Sequence, residues 1–253
     1  MADVLKTIAD FDWQFPRSYS SLVARPYGVI YYNRKNRDLH DGNHAVICHG
    51  DDYDHIILDI IRFYHNIGII PRIYSKLDDA RIDKLRTKLL RHGFQIAEYP
   101  ETVTMVLDNE NTIAIPETLR FQRVFALDDN IAAITLAEDG GGLWNVKKRK
   151  RLLTLPWSHY IVGFDDRDRA VTACGIENFI GKTALIEDVV THPAHRGKGY
   201  ARQLMNFVVG YVSTMKLELV FLYSDNPMAV KIYREAGFEE IRDPIEHWEA
   251  WLE

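Results

Sequence analysis

At 253 residues, 47% of them hydrophobic and 26% charged, the chain has the make-up of a soluble globular protein, long enough for one large domain or two small ones. Residues 1–120 carry 15 basic and 17 acidic side chains and the rest 16 and 19, a net charge of −5 that lacks the basic balance of a nucleic-acid-binding domain. No apolar run reaches the roughly 18 residues of a membrane span. The start MADVLKTIADFDW lacks a signal peptide's basic and apolar regions, so a cytoplasmic chain without membrane or nucleic-acid partners is expected.

Residues 1–27 show no clear assignment. Tyr27 to Asn33 reads as a strand, Arg34 to Asn43 as a polar turn and His44 to His49 as a buried strand. A helix follows from about Asp52 to Asn66, with Ile57, Ile60, Ile61 and Tyr64 on one face and Gly68 and Pro71 at its end. Arg72 to Lys76 is a short strand. A second helix runs from about Asp78 to His92, with Ile82, Leu85 and Leu89 inward, and Gly93-Phe94 closes it. Phe94 to Leu107 reads as two strands with a turn near Pro100. Asp51, Asp52 and Asp54 lie near His44, His49 and His55. Helix capping accounts for the aspartates, and no ligand spacing with a known geometry is present, so no metal is expected.

The second half begins with a strand from Arg120 to Leu127. Asp128 or Asp129 caps a helix reaching about Glu138, Asp139 to Gly142 forms a turn, and a helix follows from about Trp144 to Leu153. That helix carries five consecutive basic residues, Lys147 to Arg151, read by default as a solvated face, with a nuclear-import or nucleic-acid patch and a contact for an acidic ligand as the alternatives. His159 to Phe164 and Ala170 to Glu177 form a hairpin, and Thr183 to Thr191 is a third strand. The helix after it reaches about Thr214, with Leu204, Val208, Tyr211 and Val212 toward the core. Leu217 to Tyr223 is continuously apolar, as a parallel strand covered on both faces should be. Asn226 caps another helix with Pro227 at its first position. A last strand spans Glu239 to Ile241 or the tail to Trp251. Cys48 and Cys174 each sit in an apolar run and read as buried free thiols.

The stretch between the third strand and its helix carries the chemistry. In Arg196-Gly197-Lys198-Gly199-Tyr200-Ala201 two glycines let the backbone approach a ligand, and the turn opens a helix. The amides of a helix's first turn lack intrahelical partners and sit at the positive end of its dipole, which suits a phosphate. Arg196 and Lys198 add charge. The halves also echo one another: strand, helix, strand, helix, Gly-Phe, strand, from His44 to Phe94 and from Ala184 to Phe238. The first half has GDDYDH where the second has RGKGYA, so only the second should hold an anion.

Arg196 to Ala201 matches Arg/Gln-x-x-Gly-x-Gly/Ala, and with the preceding IEDVVTHP and the later Asn226-Pro227-x-Ala229-x-x-x-Tyr233-x-x-x-Gly237-Phe238 the second half resembles the GNAT family of acyl-CoA-dependent N-acyltransferases. The resemblance covers about residues 120–245. It implies an α/β (α+β) GNAT fold: a central mixed, mostly antiparallel sheet with splayed parallel central strands and flanking helices. Before it would stand a smaller, degenerate GNAT-like unit, giving domains 1–118 and 119–253, as in tandem GNAT proteins. It implies transfer of an acetyl group from acetyl-CoA, as co-substrate, to a primary amine of a small molecule or peptide. Val189, Val190 and Thr191 would meet the pantetheine arm, Arg196 to Ala201 the pyrophosphate, and Asn226 the mouth of the cleft. Glu187 would be the base, with Val189 on its side of the strand and Asp188, a rival base, on the opposite face. Tyr233 would be the acid. Trp144, Trp157 and Tyr160 are candidates to line the acceptor pocket. A monomer is expected, because two such halves can imitate a family dimer. The competing reading is a non-catalytic acyl-CoA sensor or scaffold.

Overall fold

The computed structural model describes residues 2–75, 82–108, 118–137, 142–241 and 247–253. In chain order the first elements are α1 (Ala2–Gln14), β1 (Ser21–Arg25), β2 (Gly28–Tyr32), β3 (Ala45–Ile47), α2 (Tyr53–Ile67), β4 (Arg72–Tyr74), α3 (Ile82–Arg91), β5 (Gln95–Glu98) and β6 (Val103–Leu107). Then come β7 (Arg120–Val124), α4 (Asp129–Leu136), α5 (Leu143–Leu152), β8 (Ser158–Phe164), β9 (Ala170–Ile180) and β10 (Thr183–Thr191). The last are α6 (Tyr200–Ser213), β11 (Leu219–Ser224), α7 (Pro227–Glu235), β12 (Phe238–Ile241) and β13 (Trp248–Trp251). The expected strand end at Lys76, the helix start at Asp78, the reach to Glu138 and most of the turn from Asp139 to Gly142 lie outside the described residues.

One compact unit comprises residues 1–100 with 244–253. Its helix α2 forms where the spacing placed it. Asp52 caps it by accepting the His55 amide at 3.1 Å, and Gly68, at φ 64°, ends it in the left-handed conformation that favours glycine. Ile57, Ile60 and Tyr64 are fully buried on its inner face. Asp54 is held by Lys88 and by His92 at 3.0 Å, so capping and pairing occupy Asp52 and Asp54. The sheet runs β1-β2-β3-β4-β13-β5, antiparallel except for β3 beside β4. Residues 1–27, unassigned from sequence, supply α1 and β1. Ile8 and Phe11 of α1 are buried, and Phe11 stacks on Phe15 at 5.6 Å.

The other unit is residues 101–243. Its sheet runs β12-β6-β11-β10-β9-β8-β7, again antiparallel except for one central pair, β10 beside β11. That parallel ladder pairs Thr183 with Leu219, Ala184 with Val220 and Leu185 with Phe221. Beyond Leu185 β10 keeps its partner β9, while β11 pairs with β6 on its other side. The two central strands therefore part, as expected. On one face α6 buries Leu204, Met205, Val208, Val209 and Val212. On the other, Ile131 and Ile134 of α4 pack with Tyr160, Val162 and Val190.

The compact units do not follow the break expected between 118 and 119. β6 enters the second unit's sheet between β11 and β12, and β13 enters the first unit's sheet between β4 and β5. Both candidates for the last strand are therefore real, in different sheets. Alternation marks a segment as a strand but does not name its partner edge. Around their parallel pairs the sheets have the same order: β2-β3-β4-β13-β5 in one and β9-β10-β11-β6-β12 in the other. Among the described residues, no helix is long and apolar enough to cross a membrane, and no group of three or more His, Cys, Asp or Glu could hold a metal.

Candidate active site

β10 ends at Thr191, a single 3-10 turn spans Pro193–His195, and the glycine turn follows. Gly197 has φ 78° and Gly199 φ 77°, and a Cβ on either would meet nothing within 4 Å. The backbone conformation, not crowding, calls for glycine here. Gly199 caps α6 without a side-chain hydrogen bond, which leaves the helix's first amides facing an open surface. Arg196 is exposed, and its Nε donates to the Thr191 carbonyl at 3.2 Å. The Lys198 ammonium lies 5.9 Å from the centre of the Tyr200 ring. Tyr200 and Ala201 are half-buried at the start of the helix.

Ahead of this turn, Val190 pairs with Ala173 and Thr191 with Thr172 on the β9 side. Val189 packs on the core beneath α6 and α7, and Val190 on the core beneath α4. Asn226 caps α7, its Oδ1 accepting the amides of Met228 at 3.0 Å and Ala229 at 3.3 Å. Tyr233, on α7, is buried and packs against Phe238. Its hydroxyl has no hydrogen-bond partner among the described residues, and burial raises its pKa above the ordinary 10.

The structure corrects the placement of Asp188. Glu187 pairs with Gly175 and Val190 with Ala173, so two residues of β10 stand opposite one of β9. Asp188 fills this bulge at φ 51°, and the strict alternation that sent it to the far face is lost. Glu187 and Asp188 instead meet the same two cations. Arg149 donates through Nη2 to Glu187 Oε1 at 3.1 Å and to Asp188 Oδ2 at 2.6 Å. Lys148 Nζ lies 2.9 Å from Glu187 Oε2 and 3.5 Å from Asp188 Oδ1.

The basic run is corrected in the same place. Lys147, Lys150 and Arg151 face solvent, but Lys148 and Arg149 are buried, Arg149 completely. Arg149 also donates through Nη1 to Glu177 Oε1 at 2.5 Å and lies 4.6 Å from the centre of the Tyr160 ring. It passes so close to β9 that a Cβ on Gly175 would fall 2.4 Å from Nη2. Two cations thus share a site with three carboxylates. Burial raises the pKa of Glu187, the adjacent Asp188 carboxylate adds to the rise, and Lys148 and Arg149 oppose it. Burial acts upward on Asp188 as well, but Lys148 and Arg149 outweigh it and hold that pKa low. The two carboxyl groups titrate as a pair, with Glu187 the member whose pKa is raised and Asp188 the member whose pKa is lowered.

Sequence reasoning singled out Glu187, Asp188 and the basic run, but not the burial of Lys148 and Arg149 against them, nor Glu177 and Gly175 beside them. A signal was present. Asn145, Lys148, Arg149 and Leu152 fall at i, i+3, i+4 and i+7, the spacing of one helix face, and all four are buried. Glu177 sits in the apolar run ACGIENF, where a buried acid calls for a cation. Of the three aromatics suggested for an acceptor pocket, Tyr160 is buried under Arg149 and Trp157 packs on Phe179 at 5.2 Å, while Trp144 is half-buried.

Residues 120–238 match the model of the acetyltransferase (GNAT) family. Over 77 residues the chain is 36% identical to a spermidine N(1)-acetyltransferase of Vibrio cholerae, a stretch covering 25% of this chain and 44% of that relative's length. Among solved structures, a GCN5-related N-acetyltransferase from Kribbella flavida superposes with a TM-score of 0.72 at 14% identity, over 98% of this chain and 95% of that one. A conserved protein of unknown function from Staphylococcus epidermidis superposes with a TM-score of 0.65 at 14% identity, over 92% and 94%. At such identities these structures speak for the fold.

Proposed function

We propose, from the match of residues 120–238 to the acetyltransferase (GNAT) family model, that the chain is an N-acetyltransferase that moves the acetyl group of acetyl-CoA onto a primary amine of a small molecule or peptide. One observation carries this reading. The bulged pair Glu187–Asp188 lies on the part of β10 that has left β11, immediately before the glycine turn. The Vibrio relative is named for spermidine, which puts polyamines among the first acceptors to test.

The residues fit acetyl-CoA. The left-handed glycines and the uncapped start of α6 suit the pyrophosphate, with Arg196 and Lys198 beside it. The edge of β10 at Val189 to Thr191, turned from β11, can satisfy the amide groups of the pantetheine arm as an added strand would. Asn226 already spends its Oδ1 on the helix cap, so its part at the cleft mouth falls to the side-chain amide N–H groups. Acetyl-CoA supplies an activated thioester carbon when bound. Glu187 accepts the proton that an alkylammonium must lose before it can attack, directly or through water. A backbone amide near Val189 donates to the oxygen on which charge develops. The Tyr233 hydroxyl, kept protonated by burial, gives its proton to the departing thiolate.

The first unit is read as a degenerate GNAT-like partner. Its sheet has the same order around a parallel pair, and Asp52 and Asp54 occupy the turn where phosphates would sit. Close like charges repel by at least about 1 kcal/mol per pair. Calorimetric titration with acetyl-CoA tests the whole reading. One site per chain and amine-dependent release of CoA are expected. Two sites would overturn the reading of the acidic turn, and binding without turnover on any amine would make the chain a sensor.

A further inference from the structure

Lys148 raises a question that an enzyme acting on amines makes pointed. Its side chain is a butylammonium group, 4% exposed, seated on the carboxylate read as the base. The seat is built from both sides. Glu187 and Asp188 each turn one oxygen to Arg149, at 3.1 and 2.6 Å, and the other to Lys148, at 2.9 and 3.5 Å. Arg149 is fully buried and fixed by its third carboxylate, Glu177. Lys148 takes the remaining oxygens, and Glu187 and Asp188 keep 13% and 12% of their side chains exposed against 4% for Lys148. The two oxygens left by Arg149 thus converge on one primary ammonium.

We propose that this seat is the acceptor subsite, that Lys148 occupies it in the resting chain, and that the acceptor's own primary alkylammonium replaces Lys148 there before reaction. This rests on the reading of the chain as an N-acetyltransferase and names the class of its acceptor. The exchange conserves charge, since two cations and three carboxylates are present before and after. An empty seat would instead leave three carboxylates with one cation. The seat also selects. A primary ammonium has three N–H donors and can meet both carboxylates, whereas a quaternary ammonium has none. An acceptor with a carboxylate beside its amine would be repelled by Glu187 and Asp188. The favoured acceptor is an unbranched primary alkylamine such as the end of a polyamine or a lysine side chain. The ammonium that enters lies against Glu187, to which it must give its proton.

The test uses the full chain and n-butylammonium chloride as probe, without acetyl-CoA. In Lys148→Ala the seat stands open beside the gap left by three methylenes and the ammonium. The expected result is at least tenfold tighter calorimetric binding of n-butylammonium than in the unaltered chain, with no binding of tetramethylammonium. The added change Glu187→Gln should remove the gain. In turnover, Lys148→Ala should lower KM for n-butylamine and leave the affinity for acetyl-CoA unchanged. A purely structural Lys148 predicts the reverse, a weakened protein with no gain in amine affinity. Equal binding by both proteins, or equal binding of tetramethylammonium, overturns the proposal. Should Lys148→Ala fail to fold, trace acetylation with acetic anhydride reads the unaltered chain. Labelling of Lys148 should rise when n-butylammonium is present while that of exposed Lys150 stays constant, and an unchanged Lys148 rate overturns the proposal. Acetyl-CoA titration separates the two failures: if acetyl-CoA binds but the amine results are negative, the subsite falls and the acetyltransferase reading stands. If acetyl-CoA does not bind, that reading falls by itself.

Discussion

Replacing Arg149 by methionine is the sharpest perturbation of the buried charge cluster. The guanidinium has no exposed surface and holds Glu177 at 2.5 Å, Asp188 at 2.6 Å and Glu187 at 3.1 Å. Gross attraction at such distances is several kcal/mol per pair, but most of it only offsets the loss of hydration. The measurable quantity is the cost of stranding the partners, about 3–5 kcal/mol when one member of a buried pair is removed. That is a large part of the 5–15 kcal/mol by which a domain is typically stable. Glu177, also without exposed surface, bears most of this cost. Adding Glu177→Gln to Arg149→Met should therefore return at least about 2 kcal/mol. The pH dependence has a definite sign. Carboxylates stranded in the fold have pKa values above their unfolded ones, so they favour folding at low pH and lose that contribution as pH rises through the folded pKa. The deficit of Arg149→Met should be smaller at pH 5 than at pH 8. Urea unfolding of the full chain at both pH values measures it. A deficit under about 1 kcal/mol at pH 8, or no recovery on adding Glu177→Gln, refutes the account of the cluster.

Gly175→Ala should cost about 1–3 kcal/mol, because the new Cβ would fall 2.4 Å from an Arg149 guanidinium that its three carboxylates hold in place. An unchanged urea midpoint would show that Arg149 can yield. Tyr233→Phe should leave stability within about 0.5 kcal/mol, since the hydroxyl has no hydrogen-bond partner among the described residues. It should lower turnover by about a hundredfold or more, and unchanged turnover removes Tyr233 from the role of acid. His44 is buried against Tyr74, their rings 4.3 Å apart, and burial lowers its pKa from 6.5 to about 4. As pH falls from 6.5 to 4 the unfolded chain takes up a proton that the folded chain refuses, so stability drops by about 3 kcal/mol over that window. His44→Phe should remove most of that drop, and an acid limb left as steep as before would contradict it.

Much of this fold is written in local pattern. Asp52 and Gly68 bracket α2, Asp128 caps α4 by accepting the Ile131 amide at 2.8 Å, and Asn226-Pro227 opens α7. The glycine turn is legible because left-handed backbone ahead of a helix calls for glycine. What escaped is non-local. The partner edges of β6 and β13 are set by strands far away in the chain, which a segment's own alternation does not encode. The bulge at Asp188 breaks alternation without a glycine or proline to announce it. Lys148 and Arg149 look like surface charge until Glu177, Glu187 and Asp188 are brought over them. α1 left a faint trace, Ile8 and Phe11 with Phe15 just past its end, at helical spacing among acidic neighbours, and only burial gives it weight.

The central claim is that Glu187 on the β10 bulge takes the acceptor's proton in acetyl transfer. Release of CoA thiol from acetyl-CoA, followed with n-butylamine from pH 6 to pH 9 for the unaltered chain and for Glu187→Gln, tests it most directly. The account predicts amine-dependent release that rises with pH along a limb above the ordinary carboxylate range, because burial and Asp188 raise the Glu187 pKa. It predicts that Glu187→Gln loses about a hundredfold or more in rate together with that limb. Release that ignores the amine, or a Glu187→Gln profile that overlays the original, would contradict it.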